Sequence, residues 1–241
     1  MVNCCMTIWL ASGNKHKQQE LAAILKDHTL KLPSEAGIDI FDPAETGAAF
    51  ADNALIKAEA LYRMLHTIYP DKFYAVLADD SGLCIDALGG KPGIYSARYY
   101  GKNSWAGDGS FLVKSNAEKH ADHERNALLL EELEAVLAAS SGTPPVQSAA
   151  DRIRSCRFVC AMVLFFNPNR FYLVQETMEG EIISSAAEIR GHGGFGYDPI
   201  VYINELGRTV AELSEEEKNH YSHRGKAGRA VAALLTNYNI L

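Results

Sequence analysis

The sequence predicts an α/β fold in which an open sheet carries helices on its faces. The apolar run 6–11 is typical of a buried strand, and residues 15–26 place leucine, isoleucine and alanine at helical spacing. A second apolar run at 74–78 predicts another strand, and β-forming residues across 157–179 predict a hairpin. A strand, a loop and a helix in succession, followed by more strands, favour this fold class.

The composition is that of an ordinary globular protein. The 241 residues are 47% hydrophobic and 22% charged, which suits one large α/β domain or two lobes. A net charge of −7 argues against a protein that coats nucleic acid or binds an anionic membrane surface. The apolar N-terminal stretch follows no Lys or Arg and is too short to span a membrane.

The five cysteines predict reduced thiols. None has Cys-x-x-Cys spacing and their number is odd, so we expect a cytoplasmic protein. Cys156 and Cys160 have the same parity in a predicted strand. We expect them to be small core residues rather than part of a metal site.

The loop Ser12-Gly13-Asn14 joins the first strand to the first helix. Backbone N–H groups at such a helix start, with lysines nearby, form a natural cradle for phosphate. The alternative is a plain N-capping turn. In the next helix, predicted over 50–65, Asn53 and Lys57 share a neighbouring face. The residues alone favour a solvated Lys57, and the alternative is that both side chains point into a cleft.

The segment Asp79-Asp80-Ser81-Gly82 follows the strand predicted at 74–78. We expect it to turn out of the sheet at the carboxyl end of that strand, where ligands bind in open α/β sheets. Adjacent carboxylates there can hold a divalent cation or activate water. The alternative is an ordinary acidic turn in which Gly82 supplies a positive φ.

The last part of the chain contains a loop dense in glycine, 191–199, which suggests close approach of the backbone to a ligand. A strand is predicted at 200–203. Ser214 and Glu217 have the spacing of a capping box that opens a short helix, and a longer helix closes the chain.

Six short motifs follow one another along the chain, and their order is similar to that of a known family. The motifs are Ser12-Gly13-Asn14-x-x-Lys17, Glu45-Thr46-Gly47, Ala78-Asp79-Asp80-Ser81-Gly82, Gly90-x-Pro92-Gly93-Ile94-Tyr95-Ser96-Ala97-Arg98, Gly193-Gly194-Phe195-Gly196-Tyr197-Asp198-Pro199 and Ser222-His223-Arg224-Gly225. They resemble those of the noncanonical purine nucleoside triphosphate pyrophosphatases, the inosine triphosphatase or Ham1-like family. The resemblance runs from about Met6 to the C-terminus with one interruption.

This resemblance implies a Maf/Ham1-like α/β fold: an elongated central mixed β-sheet flanked by helices, with two lobes, a deep substrate cleft and usually a homodimer. It implies a single domain over residues 1–241. The stretch within 102–156 is longer than the family normally has, with extra residues near 102–124, and an insertion there would alter the dimer surface or cover the cleft. The implied reaction converts ITP, dITP or XTP to the nucleoside monophosphate and pyrophosphate with Mg²⁺, which cleanses the nucleotide pool.

The resemblance also assigns site residues by motif position. Asp80 matches the catalytic acid and a metal ligand, and Glu45 matches the second metal ligand. The positions that match substrate contacts are Ser12, Gly13, Asn14, Lys15, His16, Lys17, Lys57, Ser81, Phe195, Gly196, Tyr197, Asp198, Lys218, His223 and Arg224.

The residue types suit this chemistry. Mg²⁺ prefers hard oxygen ligands and keeps several waters, so Glu45, Asp80 and substrate phosphates form a sensible site. Asp80 either orients or deprotonates the attacking water or binds a metal that lowers the pKa of that water. We expect Lys17, Lys57 and Lys218 to neutralise the phosphates.

Base recognition has candidates of its own. An arginine fork suits the acceptors of a 6-oxo purine, so we expect Arg224, beside His223, to discriminate against adenine. Phe195 either stacks on the base or plugs the core. Asp79 is a supporting or turn-forming acid.

Two rival functions follow from the same motifs. One is a pyrophosphatase for modified pyrimidine triphosphates. The other is a regulatory module that binds nucleotide without chemistry, although binding alone does not require the acid that activates water.

Overall fold

The computed structural model describes residues 5–112, 121–140 and 153–237. In these residues seven strands form one sheet, and α-helices flank it. The strands are β1 (Thr7–Leu10), β2 (Thr29–Lys31), β3 (Ala75–Ile85), β4 (Ser155–Asn167), β5 (Arg170–Ile182), β6 (Val201–Ile203) and β7 (Arg208–Thr209). The α-helices are α1 (Lys15–Ile24), α2 (Phe50–Ile68), α3 (Asp122–Ser140), α4 (Glu215–Tyr221) and α5 (His223–Asn237).

The sheet is mixed, with the order β2-β1-β3-β4-β5-β6-β7. Strand β1 is parallel to both of its neighbours, whereas β6 is antiparallel to β5 and β7. The predicted α/β class, the opening strand and helix, and the hairpin of β4 and β5 are therefore confirmed. The elongated shape and the cleft stay predictions.

The chain divides into two compact units, each built from segments that are distant in sequence. Unit 1 comprises Met1–Ser81, Val159–Thr177 and Asn219–Leu241, and unit 2 comprises Gly82–Phe158 and Met178–Lys218. The single domain and its insertion within 102–156 stay predictions. Within that stretch, residues 113–120 and 141–152 lie outside the described residues.

In unit 1, helices α1 and α5 cover one face of the sheet. Ala75 and Leu77 of β3 belong to the buried cluster on this face, together with Leu21 of α1 and Ala227 of α5. A Cβ placed on Gly228 of α5 would lie 3.3 Å from Leu21 Cδ2, so the two helices approach closely. Because side chains alternate along a strand, Asp79 and Ser81 of β3 lie on the same face as Ala75 and Leu77, toward α1 and α5.

The core of unit 2 forms around α3. Leu129 and Leu133 of this helix are buried together with Leu83 and Ile85 from the second half of β3. The apolar residues of α3 at helical spacing thus provide its packing surface.

The segment Asp79-Asp80-Ser81-Gly82 does not turn out of the sheet, and this prediction was wrong. Strand β3 continues through it to Ile85, and Gly82 is not among the glycines with positive φ. Asp and Gly favour turns in isolation. Here cations on the neighbouring helices pair with both buried carboxylates, which allows the strand to continue.

The described cysteines Cys5, Cys84, Cys156 and Cys160 are free thiols, and the last two are buried as predicted. Cys4 lies outside the described residues. None of the helices described is both long and apolar enough to cross a membrane.

Candidate active site

The loop before α1 forms a helix cap. Asn14 Oδ1 accepts hydrogen bonds from the backbone N–H groups of His16 and Lys17 at 2.9 and 3.3 Å. Ser12 Oγ accepts one from Asn14 N at 3.1 Å. Gly13, Asn14, Lys15 and His16 are exposed. The capping alternative is therefore observed, and the phosphate cradle stays a prediction.

Lys17 lies beside Asp79 because of the sheet register. Leu10, the last residue of β1, pairs in parallel with Leu77, so the loop and first turn of α1 lie next to the following residues of β3. Lys17 Nζ donates to Asp79 Oδ1 at 2.9 Å, and the Asp79 side chain is fully buried. Burial alone raises the pKa of Asp79, but the charges of Lys17, Arg224 and Lys57 outweigh burial and hold that pKa well below its usual range.

Arg224, near the start of α5, contacts the same face of β3. Its guanidinium is buried and donates to Asp79 Oδ2 at 3.3 Å, Glu20 Oε2 at 2.8 Å and Ser81 Oγ at 3.0 Å. The structure thus brings together Arg224, which was predicted to read the base, and Ser81, which was predicted to contact substrate. His223 is buried beside Arg224 in the sequence. Their roles in binding substrate stay predictions.

Asp80 points to the opposite side of β3 from Asp79 and contacts α2. Lys57 Nζ donates to Asp80 Oδ1 at 2.8 Å and to Glu45 Oε1 at 3.1 Å. Asn53 Nδ2, one turn earlier on α2, donates to Asp80 Oδ2 at 3.3 Å. Lys57 and Asn53 are buried, so the expectation of a solvated Lys57 was wrong.

The charges of Lys57 and Asp80 shift each other's pKa values. Burial raises the pKa of Asp80 above its usual value, and the ammonium of Lys57 opposes this effect. Burial lowers the pKa of Lys57, but the carboxylates of Asp80, Asp79 and Glu45 outweigh burial and raise it. Lys57 is therefore charged at neutral pH and serves as the counter-ion of the two acids.

The first turn of α2 holds the segment that carries Glu45. Asn53 Oδ1 accepts a hydrogen bond from Gly47 N at 2.8 Å, and Asp52 Oδ2 accepts bonds from the next two backbone N–H groups at 3.1 and 3.0 Å. A Cβ on Gly47 would lie 2.7 Å from Asn53 Oδ1, closer than real side chains approach. Glycine at 47 therefore permits the close approach that fixes Glu45.

Glu45 and Asp80 fit a metal site of the kind predicted. Each places one carboxylate oxygen within 3.1 Å of the same ammonium, so the two oxygens converge on a single point. Throughout the described residues, no group of three or more His, Cys, Asp and Glu side chains is arranged to hold a metal ion. Any metal at this point takes its remaining ligands from substrate and water, as Mg²⁺ commonly does.

A separate cluster forms in unit 2, on the glycine-rich loop. Asp198 is buried, and its Oδ2 accepts from Lys218 Nζ at 2.8 Å and from Phe195 N at 2.9 Å. The Lys218 ammonium lies 4.7 Å from the centre of the Phe195 ring. The Phe195 side chain is exposed, so the alternative of a core plug was wrong.

Neighbouring contacts fix the rest of this loop and the helix that carries Lys218. Tyr197 is buried and its hydroxyl donates to Ser96 O at 2.8 Å, while Asn126 Nδ2 donates to Gly196 O at 3.1 Å. The predicted capping box at the start of α4 is confirmed: Ser214 N donates to Glu217 Oε2 at 2.9 Å, and Ser214 Oγ accepts from Glu217 N at 3.2 Å.

The sequence prediction missed Glu20. It is spaced three residues from Lys17 on α1, so the two side chains share a helix face. That spacing was available in the sequence, but only the structure shows that Arg224 lies opposite.

Comparison with known proteins identifies the family. A model of the Ham1 family matches residues 8–234. This protein belongs to the Ham1 family. The dITP/XTP pyrophosphatase of Treponema denticola is 44% identical over 95% of this chain and 98% of its own length. The dITP/XTP pyrophosphatase of Geobacillus kaustophilus is 39% identical over 91% of this chain and 89% of its own.

Solved structures agree with this assignment. A HAM1 protein from Coxiella burnetii superposes with a TM-score of 0.73 at 35% identity, covering 96% of this Ham1 family chain and 98% of that one. The Staphylococcus aureus Ham1 protein gives a TM-score of 0.70 at 33% identity, covering 96% and 99% of the two chains. The family that the motifs resembled is thereby confirmed.

Proposed function

We propose that this Ham1 family protein is a nucleoside-triphosphate diphosphatase that acts on noncanonical purine nucleotides. It converts ITP, dITP and XTP to the monophosphate and pyrophosphate, with Mg²⁺. The observation that carries this proposal is the convergence of the Glu45 and Asp80 carboxylates on one buried point, at motif positions of the family. The names of the relatives in Treponema denticola and Geobacillus kaustophilus support the substrate class.

Glu45 and Asp80 would hold the metal. When bound, Mg²⁺ supplies positive charge that polarises the phosphate and acidifies water. The raised pKa of Asp80 also suits a general base, because a more basic carboxylate takes a proton from water more readily. We assign Asp80 to orienting or deprotonating the water that attacks the α-phosphorus, with Asn53 fixing the orientation of its carboxylate.

Phosphate binding is assigned to three lysines and to the loop before α1. Lys57 lies beside Asp80, and Lys17 is held by Asp79 through a charge-assisted hydrogen bond. We further assign Lys218 and the loop at 12–16 to the phosphates. Cations at these positions stabilise the leaving pyrophosphate as negative charge develops on it.

Base recognition is assigned to His223, Arg224 and the exposed ring of Phe195. The guanidinium of Arg224 donates to Asp79, Glu20 and Ser81. A base recognised by Arg224 would therefore share the guanidinium with these protein acceptors.

Two further proposals concern the setting of the enzyme. Free thiols at all described cysteines and a substrate drawn from the nucleotide pool support a cytoplasmic location. We also propose a homodimer, which sedimentation equilibrium tests directly. A monomer across micromolar concentrations would contradict it.

A substrate panel tests the proposed reaction. Pyrophosphate release is measured from ITP, dITP, XTP and modified pyrimidine triphosphates, and from ATP and GTP, each with Mg²⁺ or with EDTA. We expect rapid, metal-dependent release from the first three and much slower release from ATP and GTP. Faster turnover of the modified pyrimidine triphosphates than of ITP, dITP and XTP would show that the enzyme acts on that class instead. Tight ITP binding without release would indicate a regulatory module.

A further inference from the structure

The position of Lys57 between Glu45 and Asp80 has a consequence for metal binding. The Lys57 ammonium contacts one oxygen of each acid at 3.1 and 2.8 Å, and the side chains of Lys57 and Asp80 are only 10% and 11% exposed. Two carboxylates this close in a poorly solvated site repel each other unless a cation lies between them. Lys57 supplies that cation from within the chain.

A metal ion at this point would need the same carboxylate oxygens. Mg²⁺ binds its ligands at about 2.0–2.1 Å. An ammonium in contact with both oxygens leaves no room for it, and two cations at such a short separation repel each other. Metal and ammonium therefore compete for the position between the two acids.

The side chain of Lys57 can leave while its backbone stays fixed. The neighbouring residues Ala54, Ala58 and Leu61 of α2 are fully buried, which anchors the helix. The ammonium is carried on a flexible four-carbon stem, so it can move without any shift of the helix.

We propose that Lys57 is a displaceable counter-ion of the metal site. Before metal binds, its ammonium holds Glu45 and Asp80 together and compensates their charge. When metal binds, the ammonium withdraws and becomes available to the phosphates of the substrate. This inference rests on the proposed metal site at Glu45 and Asp80 and adds to it a specific role for Lys57.

The test measures metal binding in the absence of nucleotide. Free Mn²⁺ is followed by electron paramagnetic resonance at pH 8 with the wild type, Lys57→Met and Asp80→Asn. Lys72→Met is the matched control, because Lys72 is an exposed lysine of the same unit that contacts the Tyr69 ring. We expect Lys57→Met to bind Mn²⁺ at least about fivefold more tightly than wild type, the lower range of typical coupling between two sites. Lys72→Met should match the wild type.

A purely structural role for Lys57 predicts the opposite sign, since disordered acids would bind metal more weakly. Equal or weaker Mn²⁺ binding by Lys57→Met, with binding abolished in Asp80→Asn, therefore overturns the inference and leaves the metal site standing. If Asp80→Asn binds Mn²⁺ as the wild type does, the metal is held elsewhere, and both the proposed metal site and the inference fail.

A second measurement uses the wild type alone and so does not depend on the folding of a variant. Lysines are acetylated briefly with and without Mn²⁺, and modification is quantified by mass spectrometry. We expect Mn²⁺ to increase acetylation of Lys57 and to leave that of Lys72 unchanged. If saturating Mn²⁺ leaves the acetylation of Lys57 unchanged, the proposed displacement is overturned.

Discussion

Asp79 and Asp80 are adjacent on β3, yet their carboxylates contact cations on different helices. Asp79 contacts Lys17 of α1 and Arg224 of α5, whereas Asp80 contacts Lys57 of α2. Side chains of consecutive strand residues point to opposite faces of a sheet, which separates the two acids. The charges also have opposite consequences, because the fold lowers the pKa of Asp79 and raises that of Asp80.

The first prediction contrasts Asp79→Asn with Asp80→Asn. The fold stabilises ionised Asp79, so a neutral amide there leaves the buried Arg224 and the half-buried Lys17 poorly compensated and costs about 3–5 kcal/mol of unfolding free energy. The fold disfavours ionised Asp80, so its amide variant should retain nearly the wild-type stability. Turnover of ITP by Asp80→Asn should fall about 100-fold or more, as expected for loss of a general base or metal ligand.

Urea unfolding and pyrophosphate release measure the two effects separately. Near-normal turnover by Asp80→Asn would remove Asp80 from its assigned role. Wild-type stability of Asp79→Asn would show that its ion pairs contribute nothing net to folding.

The second prediction concerns Gly47. A methyl group at this position meets the side chains of Asp52 and Asn53, so Gly47→Ala should displace the segment that carries Glu45. We expect weaker activation by Mg²⁺, seen as a higher Mg²⁺ concentration at half-maximal rate. Gly107→Ala is the control, since a Cβ on Gly107 meets nothing within 4 Å. An unchanged Mg²⁺ requirement in Gly47→Ala would show that the contact does not position Glu45.

The sequence contained enough information for most elements of the fold but not for the acidic segment. Helices α1 and α2 follow from the helical spacing of their apolar residues, and the hairpin of β4 and β5 follows from two runs of β-forming residues on either side of a short turn. Asp79 and Asp80 were expected in a turn because local propensity favours one. Their pairing with Lys17, Arg224 and Lys57 depends on contacts between distant parts of the chain, which local patterns do not encode.

The alternation of side chains along β3 predicts which face of the sheet each acid occupies, and the turn prediction did not use it. Ala75, Leu77, Asp79 and Ser81 are every second residue of β3, and their side chains lie on the face covered by α1 and α5. Once β3 is known to continue, the sequence alone assigns the two acids to different faces. The shared contact of Lys57 with Glu45 has no such signal, because the segment that carries Glu45 is irregular.

The third prediction concerns Asp198 in unit 2. Asp198→Ala removes the acceptor for both Lys218 Nζ and Phe195 N, whereas Asp198→Asn keeps an acceptor but loses the charge. We expect kcat/KM for ITP to fall in both variants, by about tenfold or more for alanine and by less for asparagine. Asp108→Asn, at an exposed loop position of the same unit, should be unaffected. Equal losses in the alanine and asparagine variants would show that the hydrogen bond to Phe195 contributes nothing to substrate binding.

The last prediction is a pH dependence of stability that comes from Asp79. Its folded pKa lies below the ordinary value of 3.8, so the folded state holds the proton less tightly than the unfolded state does. The stability from this group is fully present above the ordinary value and is lost as the pH falls below it toward the folded pKa. Each unit of difference between the two pKa values corresponds to about 1.4 kcal/mol. Free energies of unfolding in urea, measured from pH 6 down to pH 3, should therefore decline less steeply with acid in Asp79→Asn than in the wild type. Parallel curves for the two proteins would mean that Asp79 titrates alike in both states, and the buried ion pairs with Lys17 and Arg224 would then not account for acid sensitivity.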